Sequence, residues 1–148
     1  MSKVNIEVRN PNSVRPWQHV LEPISGYLLL GAKMFQDGEM YCEGWNFGPE
    51  HHSIVTVAEV INTIIKYWGD GNWVDSSSSE GFHEAKLLSL DICKAKTYLN
   101  WSPVWDINKC IQMTVAWYRA FSENCSMYEF CTEQIRCYQK RVNDVGGY

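Results

Sequence analysis

Between Thr56 and Trp68 the chain carries a helix whose start, end and sidedness are all written locally. Thr56 and Glu59 stand at the capping-box spacing, in which the hydroxyl accepts the backbone N–H three residues on and the carboxylate reaches back to the cap. Val57, Val60, Ile61, Ile64, Ile65 and Trp68 then form one apolar stripe, and Gly69-Asp70-Gly71-Asn72 breaks it. A helix this short is marginal in water unless its stripe is covered. The rest of the chain must therefore provide the cover, and 148 residues are enough for one domain with a real core but not for two.

Other elements can be read on either side of that helix. Val4, Ile6 and Val8 alternate with Lys3, Asn5 and Glu7, which predicts a half-buried strand stopped by Pro11, Asn12 and Ser13. Pro23 suits the start of a helix of about three turns, with Ile24, Tyr27, Leu28, Met34 and Phe35 at helical spacing and Asp37-Gly38 at its end. Glu43–Phe47 reads as a short buried strand closed by Gly48-Pro49, with Asn46 near its end. Trp73–Asp75 and Leu87–Leu90 are further short strands, separated by a loop that includes Ser76–Ser79 and Gly81.

The second half is mostly helical. Asp91 is placed to cap a helix through Ala95 to Leu99, and Trp101 and Trp105, around Pro103, should clamp the end of that helix onto the core. Asp106 caps a helix with Ile107, Ile111, Val115 and Tyr118 on one face, running to about Phe121. A more polar helix follows from about Met127 to Arg141, and residues 142–148 are expected to form a frayed tail. The expected fold is α/β, a small sheet of short strands with about five helices, in a single domain over residues 1–148.

Composition narrows the function classes. A net charge of -4 without a block of like charge offers no general attraction to nucleic acid or to an anionic membrane. No run approaches the ~20 apolar residues of a membrane span, and Met1–Val8 has no apolar signal core, so a cytoplasmic protein is expected. Six cysteines occur without a C-x-x-C pair, and the even spacing of Cys125, Cys131 and Cys137 does not gather them on one helix face. Reduced thiols and no structural metal are expected. His51-His52 lacks metal-ligand spacing and reads as an exposed loop pair.

Several strings carry a resemblance. Arg15-Pro16-Trp17-Gln18-His19-Val20-Leu21-Glu22-Pro23 is the most specific, followed in order by Gly26-Tyr27-Leu28-Leu29-Leu30, Gly44-Trp45-Asn46-Phe47-Gly48-Pro49, His83-Glu84-Ala85, Leu90-Asp91 with Lys94-Ala95-Lys96, and Trp101-Ser102-Pro103-Val104-Trp105. Together they resemble the C-terminal substrate-binding lobe of the CDP-glucose 4,6-dehydratases, NAD-dependent extended short-chain dehydrogenase/reductases of the epimerase/dehydratase family. The family's members are lyases of deoxysugar and O-antigen (lipopolysaccharide) biosynthesis, converting CDP-glucose to CDP-4-keto-6-deoxyglucose by transient oxidation with bound NAD.

The resemblance implies roles for particular residues. Arg15 would face the nucleotide diphosphate, a task suited to a guanidinium's paired donors. His83 and Glu84 would lie near the diphosphate or nucleoside, and Asn46 would close the back of the sugar site. His19, taken as one helical turn from Arg15, is a further substrate candidate, although a histidine entering a helix also serves as a structural hydrogen-bonder. A turn-satisfying role is the plainer reading of Asn46.

The family's catalytic apparatus is absent from the chain. No G-x-G-x-x-G or G-x-x-G-x-x-G occurs, so the backbone approach that a dinucleotide pyrophosphate requires is missing. None of the tyrosines has a lysine four residues later. No cofactor is therefore expected on this chain alone, NAD belonging to the intact family enzyme. Expected activities are weak binding of a CDP-sugar and no turnover. The alternatives are a non-catalytic module that completes a separately encoded dinucleotide-binding half, with self-association through an exposed interface, or a truncated remnant.

Overall fold

The computed structural model of the protein describes residues 5–78 and 87–147. It is α/β, with five α-helices and short strands, as the sequence predicts. Helix α2, Val57–Trp68, follows its local code. Thr56 Oγ1 accepts the Glu59 N–H at 3.2 Å and Glu59 Oε2 accepts the Thr56 N–H at 2.7 Å, while Gly69 turns the chain away at φ 95°. Its stripe is covered by α4, Ile107–Ser122, through a cluster of Val60, Ile111 and Val115 flanked by Trp17, Val55 and Ile64. Each such buried aliphatic side chain contributes about 1.5–3 kcal/mol. Asp106 caps α4 as expected, its Oδ1 accepting the Lys109 N–H at 2.8 Å.

Helix α1, Leu21–Asp37, begins two residues before Pro23 and is 17 residues long, well beyond the three turns expected. Pro23 is tolerated because it lies in the first turn, where a missing N–H breaks no helical hydrogen bond. The buried face is not the one expected. Ile24, Tyr27, Leu28, Met34 and Phe35 are all exposed, Leu28 at 71% and Phe35 at 93%, whereas Glu22 and Gly26 face inward.

Gly26 faces inward because Phe47 lies directly on it. A Cβ at position 26 would stand 2.3 Å from Phe47 Cδ1, and Phe47 is itself fixed among Ile92, Ala95, Leu99 and Trp101. Gly26→Ala is expected to lose about 1–2 kcal/mol, because so close a contact puts overpacking in the upper part of its range, about 2–3 kcal/mol, against about 1 kcal/mol gained in helix propensity. Urea unfolding measures it. Pairing the change with Phe47→Leu should restore part of the loss, and an unchanged midpoint for Gly26→Ala alone would contradict this packing.

The strands form two separate pairs and not one sheet. β1, Ile6–Val8, runs parallel to β4, Trp73–Asp75, with Ile6 opposite Trp73; β2, Val14–Arg15, runs antiparallel to β3, Val55–Thr56, with Arg15 opposite Val55. Glu43–Phe47 is not a strand, and among the described residues no backbone pairs with it. Its aromatics are used for packing: Trp45 stacks on Tyr41, and Phe47 joins the core. Leu87–Leu90 is reduced to a single bridge, Leu87 to Val14.

Helix α3, Cys93–Leu99, starts where Asp91 Oδ1 takes the Cys93 N–H, and it ends at Asn100 with φ 55°. Trp101 is fully buried and Trp105 nearly so, which agrees with the expected clamp. Helix α5 spans Met127–Asp144, so residues 142–144 belong to it and not to a frayed tail. No described helix is long and apolar enough to cross a membrane. Among the described residues no group of three potential metal ligands occurs, and all six cysteines are free thiols.

Candidate functional site

The loop between β1 and β2 is fastened to the first turn of α2. Its own turn closes with Ser13 N–H on Asn10 O at 3.1 Å, and the carbonyls of Pro11 and Ser13 accept the N–H groups of Ala58 and Val57, each at 2.9 Å. These bonds use two of the free donors at the α2 N-terminus. They also set Arg9 and Arg15 on the two flanks of one short loop. A cleft of about 350 Å³ lies there, with Arg9, Asn10, Ser13, Arg15, Trp17 and Ile61 among its lining residues.

Arg15 is half-buried, and its Nη1 donates to Val14 O at 2.7 Å, which orients the guanidinium from its root. Arg9 is exposed. Glu7 also lines the cleft, so that among the described lining residues two guanidinium groups face one carboxylate. Such a site suits a phosphate or diphosphate, whose oxygens match the planar donor fork of arginine. Trp17 supplies an apolar face beside them.

The other candidate residues are placed elsewhere. Asn46 is exposed, and its Nδ2 donates to Asp91 O at 3.3 Å, a bond to the segment before α3. His83 and Glu84 lie outside the described residues. The chain is next described at Leu87, which bridges Val14, and Leu88 N–H donates to Val14 O at 3.1 Å. His51 and His52 sit on an exposed single-turn 3-10 helix.

His19 does not join Arg15. The segment between them is not helical, so the one-turn relation does not hold. The imidazole is 5% exposed, packs edge-on against Trp105 with centroids 5.0 Å apart, and accepts the Leu21 N–H on Nδ1 at 3.3 Å.

Over 138 residues, which is 93% of its length, the chain is 39% identical to a curated enzyme of Salmonella typhimurium, CDP-glucose 4,6-dehydratase. The matched region is the C-terminal part of that enzyme, and the chain spans 36% of the enzyme's length. This chain is similar to the C-terminal part of a CDP-glucose 4,6-dehydratase. No known family profile matches it.

The dehydratase likeness sharpens what the arginine cleft can and cannot hold. The β3–α2 junction does not suit the pyrophosphate of NAD. The direct strand-to-helix junction, β3 into α2, contains no glycine, and its first amides are taken by Pro11 O, Ser13 O and Thr56 Oγ1. A dinucleotide pyrophosphate needs those amides free and a glycine for close approach.

Two residues escaped the sequence reading. Arg9 shares the cleft with Arg15, and the strand–loop–strand spacing was its only local sign. Glu22 is completely buried, marked in sequence only by its place between Leu21 and Pro23.

Burial lowers the His19 pKa from 6.5 to about 4. A base held neutral in the fold stabilises it above the unfolded value of 6.5 and loses that contribution as pH falls toward 4. The shift is worth at most about 3 kcal/mol. His19→Gln should remove most of the acid-side loss between pH 7 and pH 4.5, measured by urea unfolding at each pH. Parallel pH profiles for the two proteins would contradict the assignment.

Proposed function

We propose that this chain binds the diphosphate of a CDP-sugar in the Arg9–Arg15 cleft, as the substrate-binding part of a CDP-glucose 4,6-dehydratase of deoxysugar and O-antigen biosynthesis in the cytoplasm. The observation that carries the reading is the pair of guanidinium groups on one cleft, in a chain that matches the dehydratase over 93% of its length. Arg15 holds and orients the diphosphate, Arg9 adds charge at the rim, and Trp17 packs against the ligand. Oxidation of the sugar needs a hydride acceptor, which these residues do not supply. Taken alone, the chain therefore returns CDP-glucose unchanged.

A thermal-shift series with CDP, CDP-glucose, UDP-glucose and NAD tests the binding. A ligand present at tenfold its Kd stabilises by about 1.4 kcal/mol. The two cytidine ligands should raise the midpoint and NAD should not. No response to CDP or CDP-glucose, or an equal response to NAD, would overturn the reading.

The outward face of α1 supports a second reading, in which the chain completes a separately encoded dinucleotide-binding half. Tyr27, Leu28 and Phe35 are exposed, and Ile6 and Val74 of the two-stranded parallel β1–β4 pair are exposed as well. Parallel strands are ordinarily covered on both faces, and clustered exposed apolar side chains mark docking surfaces. Restored dehydration on mixing the chain with such a half, absent from either alone, is the result this reading requires.

A further inference from the structure

A second cleft, of about 500 Å³, opens where the N-terminal end of α1 meets α4 and α5. It shares no lining residue with the arginine cleft. Leu21, Ile135, Trp117 and Tyr118 form apolar and aromatic walls, and no Asp, Glu, Lys or Arg among the described residues lines it. In the aromatic wall Trp117 stacks on Phe121 at 5.5 Å with ring planes 5° apart, and meets Tyr118 edge-on at 5.1 Å.

Two polar side chains on this cleft are more than nine-tenths buried, His19 at 5% and Gln134 at 6% exposure. Each commits one polar atom to the fold. His19 Nδ1 accepts the Leu21 N–H, and Gln134 Nε2 donates to Met113 O at 2.7 Å. The bond at Nδ1 places the proton of the neutral ring on Nε2. Among the described residues, His19 Nε2 and Gln134 Oε1 have no protein partner. Gln18 Oε1, on the same cleft, is buried and also without a partner. Of these three atoms Gln18 Oε1 is itself buried, and a buried polar atom left unpaired costs about 1–3 kcal/mol.

We propose that this cleft is a binding site for a small, uncharged, planar molecule that presents both a hydrogen-bond acceptor and a donor, an aromatic amide or a nucleobase-like heterocycle. The acceptor meets His19 Nε2–H, the donor meets Gln134 Oε1, and the ring packs on the Trp117 wall. The volume lies within the range of small-molecule sites, and few convergent polar atoms in an apolar cleft is their usual make-up. Absence of charged lining residues disfavours an ionic ligand, whose desolvation nothing would offset. His19 stays neutral at physiological pH, because burial lowers its pKa to about 4.

Benzamide, nicotinamide and cytosine are the probes, with benzoate as the charged counterpart of benzamide. Binding is read by saturation-transfer NMR and by iodoacetamide labelling of Cys131, the half-buried thiol on the cleft wall, with exposed Cys42 as the internal control. At least one neutral probe should bind and slow Cys131 labelling severalfold while leaving Cys42 unchanged, and benzoate should not bind. Gln134→Leu should weaken binding about tenfold. Should Gln134→Leu fail to fold, Cys131→Phe, which fills the cleft from its wall, serves in its place with the NMR readout. Arg15→Ala should leave this binding unaltered, which separates the result from that of the arginine cleft. No probe binding, equal binding of benzoate, or full affinity in the cleft variant would overturn the proposal and leave a water-filled cleft.

Discussion

Glu22→Ala is expected to destabilise the protein by about 3–5 kcal/mol, a large fraction of the stability of a domain this size. The carboxylate is fully buried. Its Oε1 accepts the Trp105 N–H at 2.8 Å, both oxygens lie 3.2 Å from Val104 N, and Tyr138 donates to Oε2 at 2.7 Å. One side chain thus ties α1 to the turn after Pro103 and to α5. Ser25, three residues on, accepts the Trp101 Nε1–H at 3.0 Å and extends the same network. Alanine would leave the Val104 and Trp105 N–H groups without their acceptor, remove one partner of Tyr138 and open a void, and partly satisfied buried networks are costly.

Glutamine separates charge from geometry at this position. Its carbonyl oxygen can keep the two backbone donors and its amide can donate to Tyr138, so Glu22→Gln should stay within about 1 kcal/mol of the parent at neutral pH. Burial raises the Glu22 pKa above its ordinary 4.5, against the lowering effects of Tyr138 and the Trp105 and Val104 amides. An acid with a raised folded pKa stabilises the fold below 4.5 and loses that contribution as pH rises through the raised value. Glu22→Gln should therefore gain relative to the parent as pH rises from 4.5, the opposite sense to His19. Urea unfolding of the three proteins at pH 4.5 and 7.5 decides it. A loss below 1 kcal/mol for alanine, or equal damage from glutamine, would contradict this role.

Arg15→Ala is expected to weaken CDP-glucose binding about 10- to 100-fold, the loss of one charge-assisted, two-pronged contact at 1.5–3 kcal/mol. Arg15→Lys should recover only part, because an ammonium cannot present the paired donors. Arg9→Ala should cost less, since exposed rim charges act mainly on encounter rate and salt dependence. Without nucleotide the Arg15→Ala unfolding midpoint should move little, as for most substitutions outside the core. Calorimetric titration at two salt concentrations measures all three variants. Unchanged affinity in Arg15→Ala would remove the diphosphate from this cleft.

How much could be read from the residues differs element by element. Helix α2 was fully legible because cap, stripe and stop lie within one local segment. Helix α1 was misread on its sidedness, because Leu28 and Phe35 stay exposed while a glycine and a glutamate face inward. Spacing alone cannot show that Phe47 occupies the place of a side chain at Gly26. Glu43–Phe47 has strand-like composition but, among the described residues, no edge to pair with, a matter of tertiary layout. At the candidate site, the resemblance and guanidinium chemistry point to Arg15. Its neighbour Arg9 reaches the cleft because the loop is fastened to α2, and His19 is buried through tertiary packing on Trp105, neither of which local spacing shows.

The most direct measurement is a titration of the isotope-labelled chain with CDP-glucose, followed by amide-resolved NMR. Binding in the arginine cleft predicts saturable shifts confined to residues 8–17 and to the first turns of α2, with CDP reproducing most of them. Absence of shifts, or shifts confined to α4 and α5, would contradict the account that this cleft holds the nucleotide diphosphate.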